Sequence, residues 1–205
     1  MTPEKIKQML EQFAPRRERT IVIVDFGNVE KWKYNLNWKV GIRELAVFVK
    51  HFTYGKRFLR RFYYGSDYGS DEKSTTLTDW SKHMLRTADT NGFEVHDKRV
   101  KYIHSVENVH GFEKKCDLDV EMAIDLVRER ENYDTAVIFS GDGDLVAAMR
   151  YLHDESGKRF IVVGARGHMG REVVDAHREG IIEELLYADD LEYRLNMDRH
   201  RYGKR

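Results

Sequence analysis

The sequence predicts an α/β protein, a single domain in which a central, mainly parallel sheet lies between two layers of helices. Two short apolar runs, at residues 21–24 and 136–139, are typical of buried strands, and longer segments repeat their apolar residues at helical spacing. Strands separated by helices of about 10–15 residues indicate a doubly wound sheet. A chain of 205 residues suits one such domain with extensions.

The first half of the chain opens with an amphipathic helical pattern and then alternates strands and helices. The first strand is predicted because its residues are β-branched up to Asp25, and the sequence Asn91-Gly92 is a favoured helix end. The predicted segments are a helix at 3–13, strands at 20–26 and 57–64, helices at 38–52 and 76–91, and the start of a strand at 93–95.

The second half repeats the alternation after a segment, residues 98–113, that has no clear period and is rich in charged residues and histidine. Gly157 predicts the end of the second helix of this half. The predicted segments are a helix at 119–130, a strand at 135–139, a helix at 144–155, a strand at 160–163, an apolar run at 181–187 and a helical segment at 191–195.

Composition narrows the function classes. The 35 basic and 35 acidic residues give zero net charge, which argues against a strongly basic nucleic-acid coat protein. A single cysteine, Cys116, excludes an intramolecular disulfide and a thiolate zinc cluster, so a metal site would need oxygen ligands. No apolar stretch is long enough to cross a bilayer, and the amino end lacks a signal-peptide core. We therefore expect a cytoplasmic protein without membrane contact.

Basic residues cluster at two places, 16–19 and 194–205. Either cluster could hold a phosphate backbone, although solvated ends of a soluble protein explain each of them equally well.

Three acidic motifs lie where the predicted sheet would gather ligands. Two of them directly follow predicted strands, and the carboxyl ends of parallel strands meet at the edge where ligands bind. Carboxylates gathered there repel one another unless a cation lies between them, and a divalent metal ion is the simplest such cation. The motifs are Asp25-Phe-Gly-Asn28, Asp117-Leu-Asp119 and Ser140-Gly-Asp142-Gly-Asp144.

Structural roles compete with metal binding at several of these acids. Asp142 has no evident structural role and is the best candidate, whereas Asp144 could equally cap the following helix. Asp119 shares a helix face with the small Ala123, which would let it approach the sheet, but the sequence leaves open whether Asp119 or Asp117 is the ligand.

The first motif is less specific on its own. Gly27 permits a tight turn, in which the amide of Asn28 would point back to Asp25, and such a turn needs no chemistry. In a functional interpretation Asp25 binds metal while Asn28 orients it or a substrate phosphate. Ser140 would then bond either its own turn or a phosphate oxygen.

Taken together, the three motifs resemble those of the NYN domain family, the LabA-like branch of the PIN-like nucleases. The resemblance covers residues 20–195 and includes Tyr133-Asp134 and Gly157-Lys158-Arg159 before two strands. The motifs that carry it are Asp25-x-Gly-Asn28, Asp119-Val-x-x-Ala-x-Asp125 and Ser140-Gly-Asp-Gly-Asp144. The chain departs from the family pattern in its additional acid at Asp117, in the segment 145–147 and in the segment 98–113.

The resemblance implies a three-layer, PIN-like (Rossmann-like) fold and metal-dependent cleavage of RNA. It places family metal-site residues at Asp25, Asp119, Asp142 and Asp144, with Asn28 beside the first. It further implies a domain at residues 20–195, preceded by a helical extension at 1–19 and followed by a basic tail at 196–205.

These expectations combine into a hypothesis of a ribonuclease acting on single-stranded RNA with Mg²⁺ or Mn²⁺. Such ions favour oxygen ligands, lower the pKa of bound water and assist in-line attack on phosphorus. Catalysis is assigned to Asp25, Asn28, Asp119, Asp142 and Asp144; metal binding to Asp25, Asp117, Asp119 and Asp142; and phosphate binding to Ser140, Lys114, Lys115 and Arg166. Three aromatic residues near the first motif could stack on bases or could equally cover the rim of the core: Trp32, Tyr34 and Trp38. The core is favoured for Trp38.

The rival hypothesis is a binding module, a PIN-like scaffold that holds RNA or a protein and cuts poorly or not at all. The retained acids argue against it, and indifference to Mn²⁺ would favour it. A homodimer is compatible with a domain of this size, but no feature of the sequence predicts one.

Overall fold

The computed structural model describes residues 19–52, 58–69, 74–104 and 112–199, together with positions 4, 7, 8 and 11. Most of the helical extension expected at 1–19, and the basic tail beyond residue 199, lie outside the described residues. Among the described residues, no helix has both the length and the apolar character needed to cross a membrane.

The centre of the molecule is a six-stranded sheet in which every neighbouring pair is parallel, in the order β3-β2-β1-β6-β7-β8. The two remaining strands form a separate antiparallel hairpin. The strands are β1 Thr20–Asp25, β2 Phe58–Ser66, β3 Glu94–Arg99, β4 Lys101–His104, β5 Phe112–Lys115, β6 Thr135–Phe139, β7 Arg159–Gly164 and β8 Glu184–Tyr187.

Helices cover both faces of the sheet. They are α1 Phe26–Lys31, α2 Lys33–Leu36, α3 Ile42–Phe48, α4 Asp79–Thr90, α5 Asp119–Arg128, α6 Val146–Ser156, α7 Arg171–Arg178 and α8 Glu192–Leu195. Short 3₁₀ turns lie at Val49–Phe52, Arg166–His168 and Ala188–Asp190.

Successive side chains of β1 point to opposite faces of the sheet, and each face is covered by its own hydrophobic core. Val22 and Val24 point into the core that α1, α3 and α4 cover, whereas Ile21 and Ile23 point into the core that α5, α6 and α7 cover. All four side chains are fully buried. The predicted three-layer α/β/α architecture is therefore confirmed.

The order of the strands brings distant parts of the chain together. From β1 the chain runs outward through β2 to β3, and it then returns to place β6 on the other side of β1. The two crossovers leave this pair in opposite directions, which opens a crevice at the carboxyl ends of β1 and β6. Both strands end there in an acidic motif.

Several predicted elements differ in detail from those observed. Gly41 is extended, so α3 begins at Ile42, and the segment predicted at 38–52 ends as a 3₁₀ turn. The first motif does not form an isolated turn, because Asp25 caps a helix that starts at the next residue. The helix α7 was not predicted, since only Val173 and Ala176 of its eight residues are buried.

Arg19, from the basic cluster at 16–19, has a structural partner. Its Nη2 lies 2.6 Å from Asp134 Oδ1, and its backbone N–H donates to Asp134 Oδ2 at 3.0 Å. This contact fastens the start of β1 to the residue before β6, so it holds the two central strands together rather than leaving Arg19 free for phosphate.

Candidate metal centre at the carboxyl edge of the sheet

Three carboxylates converge where β1 and β6 end. Asp119, Asp142 and Asp144 each place one oxygen within 4.8 Å of an oxygen of the other two. Asp119 and Asp142 are partly buried, and Asp144 is exposed. The first begins α5 and the other two lie in the loop between β6 and α6. These three residues are called the acidic cluster below.

The loop after β6 is shaped by its own side chains. The hydroxyl oxygen of Ser140 accepts from the backbone N–H of Asp142 at 3.2 Å, and Asp142 Oδ1 accepts from the backbone N–H of Asp144 at 3.2 Å. Gly141 allows this loop to touch the segment after β7, because a Cβ at Gly141 would lie 1.9 Å from the carbonyl oxygen of His168. The loop therefore holds both acids in a compact turn at the edge of the sheet.

Asp25 and Asn28 connect the first motif to this loop. Asp25 Oδ2 accepts from the Ser140 hydroxyl at 3.0 Å, while its Oδ1 accepts from the backbone N–H of Asn28 at 3.0 Å. Asn28 Oδ1 accepts from the backbone N–H of Gly141 at 3.1 Å and from Trp32 Nε1 at 2.8 Å. The amide of Asn28 that points back to Asp25 is thus its backbone N–H, while its side-chain carbonyl oxygen orients the loop.

Asp25 is close enough to the acidic cluster for their charges to interact. Burial raises the pKa of Asp25 above its usual range, hydrogen bonds from Asn28 and Ser140 oppose that rise, and the charge of Asp142 adds to it. Its charge in turn raises the pKa of Asp119. Asp25 is therefore electrostatically part of the site.

The two carboxyl groups of Asp117 and Asp119 have pKa values shifted in opposite directions. Burial, then a hydrogen bond with Asp117, then the charges of Asp25 and Asp142 raise the pKa of Asp119 to about 7. The same pairing with Asp119 lowers the pKa of Asp117. Asp117 is exposed, and its Oδ1 accepts from the backbone N–H of Asp119 at 3.2 Å. Geometry thus puts Asp119 in the acidic cluster and Asp117 in the supporting turn.

The acidic cluster suits a hard divalent cation. Within the described ranges, no lysine or arginine forms an ion pair with any of its three members. Part of its charge is instead suppressed by the raised pKa of Asp119. An all-oxygen donor set with uncompensated negative charge is what Mg²⁺ and Mn²⁺ favour.

The residues expected to bind phosphate lie in different environments. Ser140 is 2% exposed, and its hydroxyl is engaged by Asp25 and Asp142. Lys114, on the hairpin, places its Nζ 2.6 Å from Oδ2 of Asp67, the residue after β2. Lys115 is exposed and forms no ion pair with the described residues.

Arg166 already has two partners. Its Nη2 lies 2.5 Å from Asp190 Oδ2, and its guanidinium stacks 4.1 Å from the centre of the Tyr187 ring. These contacts tie the turn after β7 to the turn after β8, which is a sufficient structural role.

The aromatic residues near the first motif also lie in different environments. Trp32 is fully buried and donates to Asn28, so it cannot stack on a base. Trp38 packs against the core, as expected. Tyr34 is 74% exposed, with Lys33 Nζ 5.1 Å from the centre of its ring.

Glu172 is an acid near the cluster that the sequence motifs did not include. A Cβ at Gly143, between Asp142 and Asp144, would lie 2.8 Å from Glu172 Oε2. Glu172 stands in the first turn of α7, where an acid is common on any helix. Because that helix was not predicted, no local signal distinguished Glu172.

Comparison with known proteins gives three findings. A family model described as the NYN domain matches residues 19–184. Low amplitude and bright protein LabA of Synechococcus elongatus is 34% identical over 85 residues, which are 42% of this chain and 45% of that protein. The chain thus matches less than half the length of this relative.

The third finding is a crystal structure, described as that of a protein of unknown function from Vibrio parahaemolyticus. It superposes with a TM-score of 0.58 at 20% identity, covering 86% of this chain and 96% of the other. At this identity the likeness concerns the fold alone, and it supports the three-layer α/β architecture.

Proposed function

The chain belongs to the NYN domain family, whose domains are nuclease-like, and on that premise we propose that it is a divalent-metal-dependent endoribonuclease acting on single-stranded RNA. The observation that carries the proposal is the convergence of Asp119, Asp142 and Asp144, each with an oxygen within 4.8 Å of the others. Packing does not require three carboxylates to approach so closely, and their mutual repulsion disfavours it.

In the proposed site, Asp119, Asp142 and Asp144 hold Mg²⁺ or Mn²⁺, with Asp25 beside them. A bound divalent ion would supply Lewis acidity at the phosphodiester and at the attacking water. The residues of the chain supply position: Ser140 and Asn28 fix the loop, and Asp25 keeps both oxygens oriented by its two donors.

In the proposed site, the pair Asp117 and Asp119 binds and releases a proton. Without a cation, Asp119 holds a proton in about half of the molecules at pH 7, because its pKa is raised to about 7 by burial and by its acidic neighbours. A cation would displace that proton and leave both carboxylates charged. Of the expected phosphate-binding residues, Lys115 fits best, since its side chain is exposed and its charge acts on Asp117.

The test compares wild-type protein with Asp142→Asn on labelled single-stranded RNA in EDTA, Mg²⁺ and Mn²⁺. We expect wild type to cut only with a divalent ion, and Asp142→Asn to lose at least about 100-fold in rate, the loss typical of removing a central electrostatic group. The matched control is Asp154→Asn, the same change at an exposed acid in α6 outside the acidic cluster, and it should cut like wild type.

Cutting that persists in EDTA, or in Asp142→Asn, would contradict the proposal. Absence of cutting by folded wild type with either metal, combined with RNA binding that ignores Mn²⁺, would favour the binding module instead. The family match and the LabA likeness support a nuclease-related role and leave this choice to the experiment.

A further inference from the structure

The hairpin of β4 and β5 presents two different faces. Lys101 stands opposite Lys115, and Tyr102 stands opposite Lys114. Because opposite residues of an antiparallel pair share a face and neighbours along a strand alternate, Lys101 and Lys115 lie on one face and Tyr102 and Lys114 on the other.

The face of Tyr102 and Lys114 is anchored to the end of β2. The Tyr102 hydroxyl donates to Asp67 Oδ1, and Lys114 Nζ lies 2.6 Å from Asp67 Oδ2. Asp67 is itself held, since its backbone N–H donates to Ser81 Oγ at 2.9 Å and its carbonyl accepts from Thr78 at 2.9 Å. The hairpin is thus fixed to β2 and to the start of α4.

The base of the hairpin also packs closely on the sheet. A Cβ at Gly65 would lie 2.7 Å from Cys116 Cβ and 3.0 Å from Val100 Cγ1, the residues that flank the two strands. Val100 donates its backbone N–H to the carbonyl of Ser66 at 3.0 Å. The hairpin therefore has a defined position next to the carboxyl edge.

The opposite face carries like charges side by side. Lys101 and Lys115 are directly paired and both are exposed, and neither forms an ion pair with any described residue. Like charges directly opposite each other destabilise a strand pair. The described acid on this face, Glu113, stands opposite Ile103, two residue pairs beyond Lys101 and Lys115 along the hairpin. A ligand that bridges both ammonium groups would relieve their repulsion.

Lys115 is linked to the acidic cluster through Asp117. Lys115 is followed by Cys116 and by Asp117, whose pKa its charge helps to lower after the larger effect of hydrogen bonding with Asp119. Asp117 in turn accepts from the backbone N–H of Asp119. One short segment therefore connects the positive face of the hairpin to a member of the acidic cluster.

We propose that Lys101 and Lys115 form a two-lysine clamp that binds the phosphate backbone of single-stranded RNA beside the acidic cluster, and this rests on the proposed ribonuclease function. A polyanion fits because it supplies negative charge continuously along a strand, which two ammonium groups on one fixed face can share. The clamp would supply a cationic surface that retains the substrate on the side of Asp117.

The test measures binding by fluorescence anisotropy of labelled single-stranded RNA in EDTA, where cutting should not occur, at several salt concentrations. Each lost phosphate contact lowers the slope of log K against log salt by about 0.7 for a single strand, so Lys101→Ala/Lys115→Ala should lower it by about 1.4. The variant Lys101→Arg/Lys115→Arg keeps both charges and should keep the slope. Lys50→Ala, at an exposed lysine in the turn before β2, should leave it unchanged.

A thermal scan accompanies the binding measurement, because removing one or both of two repelling charges should leave the protein at least as stable as wild type. Unchanged binding by the double alanine variant, while wild type binds and cuts, would overturn the clamp and leave the nuclease intact. Binding that depends on the lysines, without any metal-dependent cutting, would support the clamp and overturn the nuclease. Failure of wild type to bind RNA would overturn both.

Discussion

At Asp119, burial and three neighbouring carboxylates act in the same direction. Each of them disfavours the charged form, and together they raise its pKa to about 7, well above that of an ordinary aspartate. In the proposed metal site, a proton and a divalent cation would therefore compete for this carboxylate. The outcome of that competition changes within the physiological range of pH.

This competition predicts how metal affinity depends on pH. Below about pH 7 the cation-free Asp119 is protonated, so each bound Mn²⁺ must displace one proton, and affinity should fall about tenfold per pH unit as the pH is lowered further. Above pH 7 the affinity should level off. Isothermal titration with Mn²⁺ between pH 5.5 and about 8.5 measures this curve, and Asp154→Asn should follow it. An affinity that is constant across this range would refute the competition.

At the scale of single residues, the sequence could indicate which acids come close together better than the contacts that hold them there. Asp142 and Asp144 lie two residues apart and could be assigned because one short loop carries both. The buried position of Asp25 and its bond to Ser140 join residues 115 apart in the chain, and no local pattern contains such a distance. Glu172 was missed for the same reason.

Among the elements, β2, β3 and α5 are joined by a buried charge network around Arg61. Arg61 is 6% exposed, and its guanidinium lies 2.7 Å from Glu129, 3.1 Å from Asp125 and 3.3 Å from Glu94. Asp125 also accepts from the Tyr63 hydroxyl at 2.7 Å. Because α5 begins with Asp119, this network also holds the helix that carries a member of the acidic cluster.

Removing Arg61 should destabilise the protein far more than removing a neighbouring arginine with the same partner. Arg61→Met leaves Asp125 buried without its main counter-charge, which costs about 3–5 kcal/mol. Arg128 also contacts Asp125, at 3.3 Å, but its side chain is 70% exposed, so Arg128→Met should cost about 0–1 kcal/mol. Urea denaturation of both variants measures the difference. Equal costs would show that the buried network contributes no more than a surface pair.

Elements were predictable where their apolar pattern was strong. The strand predicted at 135–139 matches β6, and Gly157 ends α6 with a φ of 60°, the left-handed conformation that glycine favours. The helix α7 was missed because it is only eight residues long, half of its residues are charged, and its buried face consists of Val173 and Ala176 alone. The hairpin was missed because its strands are only four residues each and alternate little in polarity.

At the scale of the whole molecule, the topology determines where the site lies. A parallel sheet was predicted from the alternation of strands and helices, but the order β3-β2-β1-β6-β7-β8 depends on which strands pair across the chain. Alternation alone does not distinguish such orders. The acidic cluster lies at the one place in this sheet where neighbouring crossovers leave in opposite directions.

A bound cation should stabilise the whole domain, because it binds the folded state and the unfolded chain has no assembled cluster. At a Mn²⁺ concentration 100 times the dissociation constant, the gain is about 2.7 kcal/mol, which corresponds to a rise in Tm of about 5–10 °C for a domain of this size. Thermal scans with Mn²⁺ and with EDTA test this. The Asp142→Asn variant should show a much smaller rise, and an equal rise in both proteins would place the cation elsewhere.

The pairing of β1 with β6 has a consequence for synthesis on the ribosome. Asp142 and Asp144 follow Ser140, which is synthesised 115 residues after Asp25, and β6 must pair with β1 before they come close to Asp25. A nascent chain that has folded only its first three strands therefore lacks the acidic cluster. If the protein cleaves RNA as proposed, the nascent chain cannot cleave the mRNA that encodes it until β6 and the loop after it have left the ribosomal exit tunnel.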